Sequence, residues 1–144
     1  MLFRSDNDSV AVHRTDLKAF RFDATDCPDL FPPLIALAAH CEGKSTIYGA
    51  RRLIHKESNR ALALASEFAK LGVEIELYED RIDVRGSQIK DALIESHNDH
   101  RIAMACAVAG IEGKGEVVID RPECVFKSYP NFFEDLDSVR GIHE

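Results

Sequence analysis

The stretch HNDHRIAMACAVAG (residues 97–110) carries two kinds of sequence in one segment. From Ile102 to Gly110 every residue is small or apolar and none is charged, as in a helix wedged between other elements. Ahead of it stand two histidines, an asparagine, an aspartate and an arginine. Asn98 or Asp99 is a natural N-cap, and the positive end of a helix, with its free backbone N–H groups, favours an anion there. Arg101 and one or two imidazoles suit that entrance still better to a phosphate or carboxylate. The stretch therefore predicts a buried helix to about Ile111 with an anion site at its start.

Working outward, GEVVID (residues 115–120) predicts a strand, and an amphipathic helix from about Pro130 to Val139 follows. Upstream, RGSQIKDALIES (residues 85–96) reads as a polar link. Before it, KESNRALALASEFAKLG gives a helix with Leu62, Ala65, Ala69 and Leu71 as its apolar face and Gly72 as its stop. VEIEL and RIDV then alternate as two strands around a tight Glu79-Asp80 turn. Pro32 and Pro33 are tolerated only near a helix start, so a further helix opens close to Asp29 and ends before Gly43, with STIYG as the next strand. VAVHR (residues 10–14) and FRF (residues 20–22) are the remaining strand candidates.

With 144 residues, 45% of them hydrophobic and 30% charged, the chain has the size and composition of a soluble globular domain with a real core. No run reaches the length of a membrane span, and MLFRSDNDSV lacks a signal peptide's apolar stretch, so a cytoplasmic location is expected. The four cysteines, Cys27, Cys41, Cys106 and Cys124, include no CxxC pair and read as free thiols. A net charge of −7 argues against a nucleic-acid partner. Positive charge is nonetheless gathered in RRLIHKESNR (residues 51–60), where four cations face one glutamate.

Two segments repeat at an offset of about 70 residues, roughly 28–57 and 98–127. Asp29 matches Asp99, Ala39 matches Ala109, and Glu42-Gly43-Lys44 matches Glu112-Gly113-Lys114. Each copy runs from a polar helix start through an apolar helix to a strand and a turn bearing a lysine, Lys56 or Lys127. The matched order points to duplication inside one domain, with Asp29 and Asp99 at equivalent helix entrances.

Three clusters could carry chemistry: Asp29; Lys56-Glu57 with Arg60; and residues 97–101 with Lys127. Taken alone, Glu57 and Arg60 are an intrahelical ion pair, Asp29 an N-cap and Lys127 a solvated lysine. His97 and His100 have the spacing of two metal ligands, but no further ligand motif accompanies them, and no metal is expected.

Taken together, KESNRALALASEFAKLGVEIE, HNDHRIAMACAVAG and ECVFKSYPNFFEDL resemble the C-terminal signatures of the 5-enolpyruvylshikimate-3-phosphate synthase family, over about residues 22–139. The resemblance implies an α/β (α+β) fold of repeated βαβαββ units. Since the family's enzymes are much longer, it also implies that residues 1–144 are a single partial domain from the C-terminal part, lacking the N-terminal domain that completes the active site. It implies transfer of the carboxyvinyl group of phosphoenolpyruvate to the 5-hydroxyl of shikimate 3-phosphate, with no cofactor.

Carried over by motif, Asp29 would contact the shikimate hydroxyls and act as base, with Lys56 on the shikimate phosphate. Glu57 would handle the methylene proton, and Arg60 and Arg101 would hold phosphoenolpyruvate. His100 would orient Glu57 or the phosphate of phosphoenolpyruvate, and Lys127 would help that phosphate leave. Arg52 departs from the pattern, standing where many relatives have an asparagine that touches shikimate 3-phosphate. Two rivals are a transferase acting on UDP-N-acetylglucosamine, which the paired K-E-x-x-R and N-D-H-R motifs fit less well, and a non-catalytic anion-binding module.

Overall fold

The computed structural model describes residues 2–5, 8–56 and 58–140, with backbone only for 2–5 and 55. Strands β1 (Leu2–Ser5) and β2 (Val10–His13) form an antiparallel hairpin. A first unit then runs β3 (Arg21–Asp23), a 3-10 helix (Pro28–Leu30), α1 (Phe31–Ala38), β4 (Lys44–Tyr48) and a second 3-10 helix (Ala50–His55). It continues through α2 (Arg60–Lys70) to the hairpin β5 (Glu74–Leu77) and β6 (Arg81–Arg85). A second unit repeats the opening order: β7 (Ala92–Glu95), α3 (His100–Gly110), β8 (Val117–Asp120), a 3-10 helix (Pro122–Lys127) and α4 (Phe132–Arg140).

The first unit's sheet has the order β3-β4-β6-β5, and β7 pairs with β8 in a separate two-stranded sheet. The pairs β3–β4 and β7–β8 are both parallel, as a strand–helix–strand crossover requires. In both, the paired residue lies 25 positions on: Arg21 faces Thr46 and Ala92 faces Val117. Equal register across two crossovers sets α1 and α3 in corresponding places, and the two helices pack against each other.

Local chemistry explains the boundaries that matter to the site. Pro32 and Pro33 fall in the first turn of α1, where a missing N–H breaks no helical bond. Gly49 has φ +95°, and a Cβ there would meet the Thr25 backbone nitrogen at 2.5 Å. Only glycine lets the 3-10 helix of residues 50–55 close against the turn that leads to Asp29. Gly72, at φ +87°, terminates α2 in a left-handed conformation.

Phe31, Ile35, Ile47, Leu64, Phe68 and Ile102 belong to one fully buried cluster joining helices and sheet. Truncating Phe68 to alanine would cost about 3–5 kcal/mol. Among the described residues no helix is long and apolar enough to cross a membrane.

Three expectations need correction. Residues 85–96 are not simply a link, since β7 lies within them; with only Ile94 fully buried, four residues show too little alternation to reveal a strand whose partner is β8. The apolar face of α2 differs in part from the expected one: Leu71 is buried as expected and Ala65 is half-buried, but Leu62 is 59% exposed and Ala69 is exposed, whereas Arg60, Leu64, Glu67 and Phe68 are buried. The buried stripe contains two charged residues, and a hydrophobicity pattern places such residues in water. Finally, β3 begins at Arg21, one position after the FRF reading, and β1 was unanticipated.

Candidate active site

The starts of α1, α2 and α3 meet at Arg60, the first residue of α2. Its guanidinium forks onto Asp99, with Nε 2.9 Å from Oδ2 and Nη2 3.2 Å from Oδ1, while Nη1 donates to Asp29 Oδ1 at 3.0 Å. An arginine in a helix's first turn opposes the helix dipole, and a buried one requires paired anions. Asp29 and Asp99 supply both.

Asp99 caps α3 by accepting the Arg101 backbone N–H at 3.0 Å, and it also accepts the Ser58 hydroxyl at 3.0 Å. Burial pushes its carboxyl up, but the Arg60 guanidinium, the Arg101 N–H and Ser58 outweigh that and hold it below its ordinary 3.8.

Asp29 shares the Arg60 cation yet is about half exposed. Lys56 Nζ lies 3.4 Å from its Oδ1 and Arg101 Nη2 3.3 Å from its Oδ2. Here too burial raises the carboxyl, while Arg101, Lys56 and Arg60 more than offset it, and the acid lies below its usual range.

The turn into α3 is unusual. His97 and Asn98 have φ of +53° and +52°, a left-handed pair without glycine, which costs of order 1–3 kcal/mol per residue. Side chains fix it: the Asn98 N–H donates to Ser96 Oγ at 3.3 Å, and Lys127 Nζ donates to the Asn98 carbonyl at 2.6 Å. Beyond the turn His100 is 7% exposed, and among the described residues its Nδ1 has no hydrogen-bond partner.

Of the residues expected from sequence, Asp29, Lys56, Arg60 and Arg101 are directly ion-paired in one cluster, and Lys127 joins the adjoining turn. Arg52 is outside these pairs, donating Nη1 to the Thr25 carbonyl at 2.8 Å on the approach to Asp29. Glu57 lies outside the described residues. Reading Asp99 only as a cap overlooked its carboxylate as the anchor of Arg60. Its match to Asp29 in the repeat was the available signal. A concavity of about 730 Å³ is lined by residues such as Ala107, Val117, Phe133 and Leu136 and by none of these groups. Convergent charge on an open surface, not cavity volume, marks the site.

A family model described as EPSP synthase (3-phosphoshikimate 1-carboxyvinyltransferase) matches residues 3–136. The chain belongs to the EPSP synthase family. A 3-phosphoshikimate 1-carboxyvinyltransferase from Clostridium perfringens is 39% identical over 142 residues, covering 98% of this chain and 34% of the relative. One from Thermococcus kodakarensis is 43% identical over 129 residues, 90% of this chain and 32% of the relative.

Among solved structures, EPSP synthase from Acinetobacter baumannii superposes with a TM-score of 0.72 at 35% identity, over 80% of this chain and 27% of that one. The enolpyruvyl transferase NikO from Streptomyces tendae gives 0.75 at 22% identity, over 95% and 32%, a likeness of fold. The chain thus spans about a third of the EPSP synthases it matches, and its α/β architecture is part of a domain of the enolpyruvyl transferase fold.

Proposed function

We propose that the complete protein containing this chain transfers the carboxyvinyl group of phosphoenolpyruvate to the 5-hydroxyl of shikimate 3-phosphate and releases phosphate in the cytoplasm. The observation that carries this reading is the cluster Asp29–Arg60–Asp99–Arg101–Lys56 at three converging helix starts. Among the described residues three cations there face two carboxylates, and Lys127 adds a fourth cation at the neighbouring turn. Two multiply charged anions suit such a surface.

In this reading the shikimate hydroxyl gives its proton to Asp29 as its oxygen bonds to the central carbon of phosphoenolpyruvate. The methylene carbon takes a proton from Glu57. The Glu57 carboxylate so formed then recovers a methyl proton as the C–O bond to phosphate breaks and the double bond re-forms, and the hydroxyl proton held by Asp29 leaves with the phosphate. Lys56 holds the shikimate phosphate, Arg60 and Arg101 hold phosphoenolpyruvate, and Lys127 takes up the departing phosphate's charge. Arg52 lies on the shikimate side, and the orphan His100 nitrogen is available to Glu57 or the phosphate.

The resting geometry adds a condition. Asp29 is held ionised and weakly basic by cations that the substrates' own anionic groups also attract. Substrates that engage Lys56 and Arg101 relieve that pull and raise the basicity of Asp29 as chemistry begins. Arg60 Nη1 meets phosphoenolpyruvate in the same way, where Asp29 yields to it.

The missing N-terminal portion is the partner expected to complete the site. The isolated chain is expected to bind phosphates weakly, because charges open to water interact weakly. The test is phosphate release from shikimate 3-phosphate and phosphoenolpyruvate by this chain, by the separately expressed remainder, and by both mixed. Turnover only in the mixture is the expected result. Folded pieces that stay silent together, or that turn over UDP-N-acetylglucosamine instead, would exclude the reading.

A further inference from the structure

We infer that Glu67 is a positioning residue for the reaction, holding the turn that delivers His100 and Arg101 to phosphoenolpyruvate; this rests on the function proposed above. Glu67 lies on α2 among Leu64, Phe68 and Leu71, in a stripe whose other buried charge is Arg60, and its side chain is 1% exposed. An ion pair with Lys70, three residues on and partly exposed, would form equally well at the surface and does not require this burial.

The inward carboxylate has other work. Its Oε1 lies 2.8 Å from His97 Nε2, and its Oε2 accepts the Glu95 backbone N–H at 3.0 Å as well as Lys70 Nζ at 2.6 Å. Glu95 is the last residue of β7, and His97 is the first of the two left-handed residues before α3.

Arg60 and Glu67 are seven residues apart, two helical turns, and so share one face of α2 about 10 Å apart along its axis. Arg60 holds the far side of the turn through Asp99, and Glu67 holds the near side through Glu95 and His97. One rigid helix therefore grips residues 95–99 at both ends, and His100 and Arg101 follow directly. A left-handed pair of non-glycine residues persists only where its surroundings over-determine it, and Glu67 supplies part of that constraint. Asp29 and Lys56 reach the site from other segments, so losing Glu67 falls chiefly on the phosphoenolpyruvate side.

The experiment compares E67Q, H97A, the double variant and K70A with the wild type in the full-length protein. Steady-state constants are measured for each substrate, together with the thermal midpoint. E67Q is expected to lower kcat/KM for phosphoenolpyruvate about tenfold while leaving KM for shikimate 3-phosphate within twofold. The double variant should lose little more than E67Q alone, since the two groups act through one bond. K70A should stay near the wild type.

A folded E67Q with kcat/KM for phosphoenolpyruvate within twofold of the wild type overturns the inference. Equal losses on both substrates that follow the thermal midpoint also overturn it, because those report a merely structural role. If the full-length wild type does not turn over this substrate pair, the proposed reaction fails first. Amide hydrogen exchange at residues 98–102 then decides the grip on its own: faster exchange in E67Q supports it, and unchanged exchange removes it.

Discussion

Asp99 caps α3, whereas Asp29, expected at an equivalent helix entrance, lies in the 3-10 helix that leads into α1 and caps nothing; α1 and α3 belong to two parallel strand–helix–strand crossovers with the same register, and the two acids touch the same arginine. Their surroundings separate them. The Asp99 side chain is fully buried and saturated by Arg60, Ser58 and the Arg101 N–H, whereas the Asp29 side chain is 49% exposed and lies among three cations. Burial turns one acid into part of the scaffold. Exposure leaves the other available to a ligand. The same residue type near two helix starts is thus locked into the core in one unit and left open to solvent in the other, with Arg60 bridging the two; in the function proposed above, the open one does the chemistry.

The comparison breaks most visibly at Asp99. Asp99→Ala removes the principal counter-charge of a buried guanidinium and should cost about 3–5 kcal/mol, read as a lower urea midpoint. A cost below about 1 kcal/mol would show that Arg60 can be hydrated and that the pair is not a scaffold.

Asp29→Ala should do the reverse. It should leave stability within about 1 kcal/mol, since an exposed acid contributes little, and lower turnover of the complete protein about 10²-fold or more. Loss of stability with retained turnover would exchange the two roles.

Acid sharpens the contrast. The folded-state value of Asp99 is depressed, so its contribution is present above its unfolded value near 3.8 and is lost as pH falls toward the folded value. Below about pH 4, stability should fall with a slope of up to about 1.4 kcal/mol per pH unit from this group. In Asp99→Asn that part of the slope should be absent from acid-unfolding curves. An identical acid limb in the two proteins would place the titration elsewhere.

The smallest effect belongs to the outward side of α2. Leu62→Lys should change stability by no more than about 0.5 kcal/mol in a thermal melt, because Leu62 is mostly exposed while Arg60 and Glu67 occupy the inward face.

Much of the architecture was legible along the chain. Pro32 and Pro33, Gly72, the Glu79-Asp80 turn and the uncharged run after Arg101 each act through local backbone sterics or helical period, and the corresponding elements lie where those signals place them. β7 was less visible because its stabilising partner, β8, lies 25 residues away and only the parallel pairing makes those four residues a strand.

The site followed the same division. The family motifs marked Asp29, Lys56, Arg60 and Arg101, and they also marked Glu57, which lies outside the described residues. They did not mark Asp99 as the anchor of Arg60 or Glu67 as a buried acid. Residue type, spacing and turn chemistry determined the helices, the order of the units and the family, since each depends on a few neighbouring residues. Which face of α2 is inside, and which aspartate is open to a ligand, depend on charged groups whose hydrogen-bond partners lie 28 to 39 residues away in sequence. Only their pairing offsets the cost of taking them out of water, and pairing is a property of the folded arrangement.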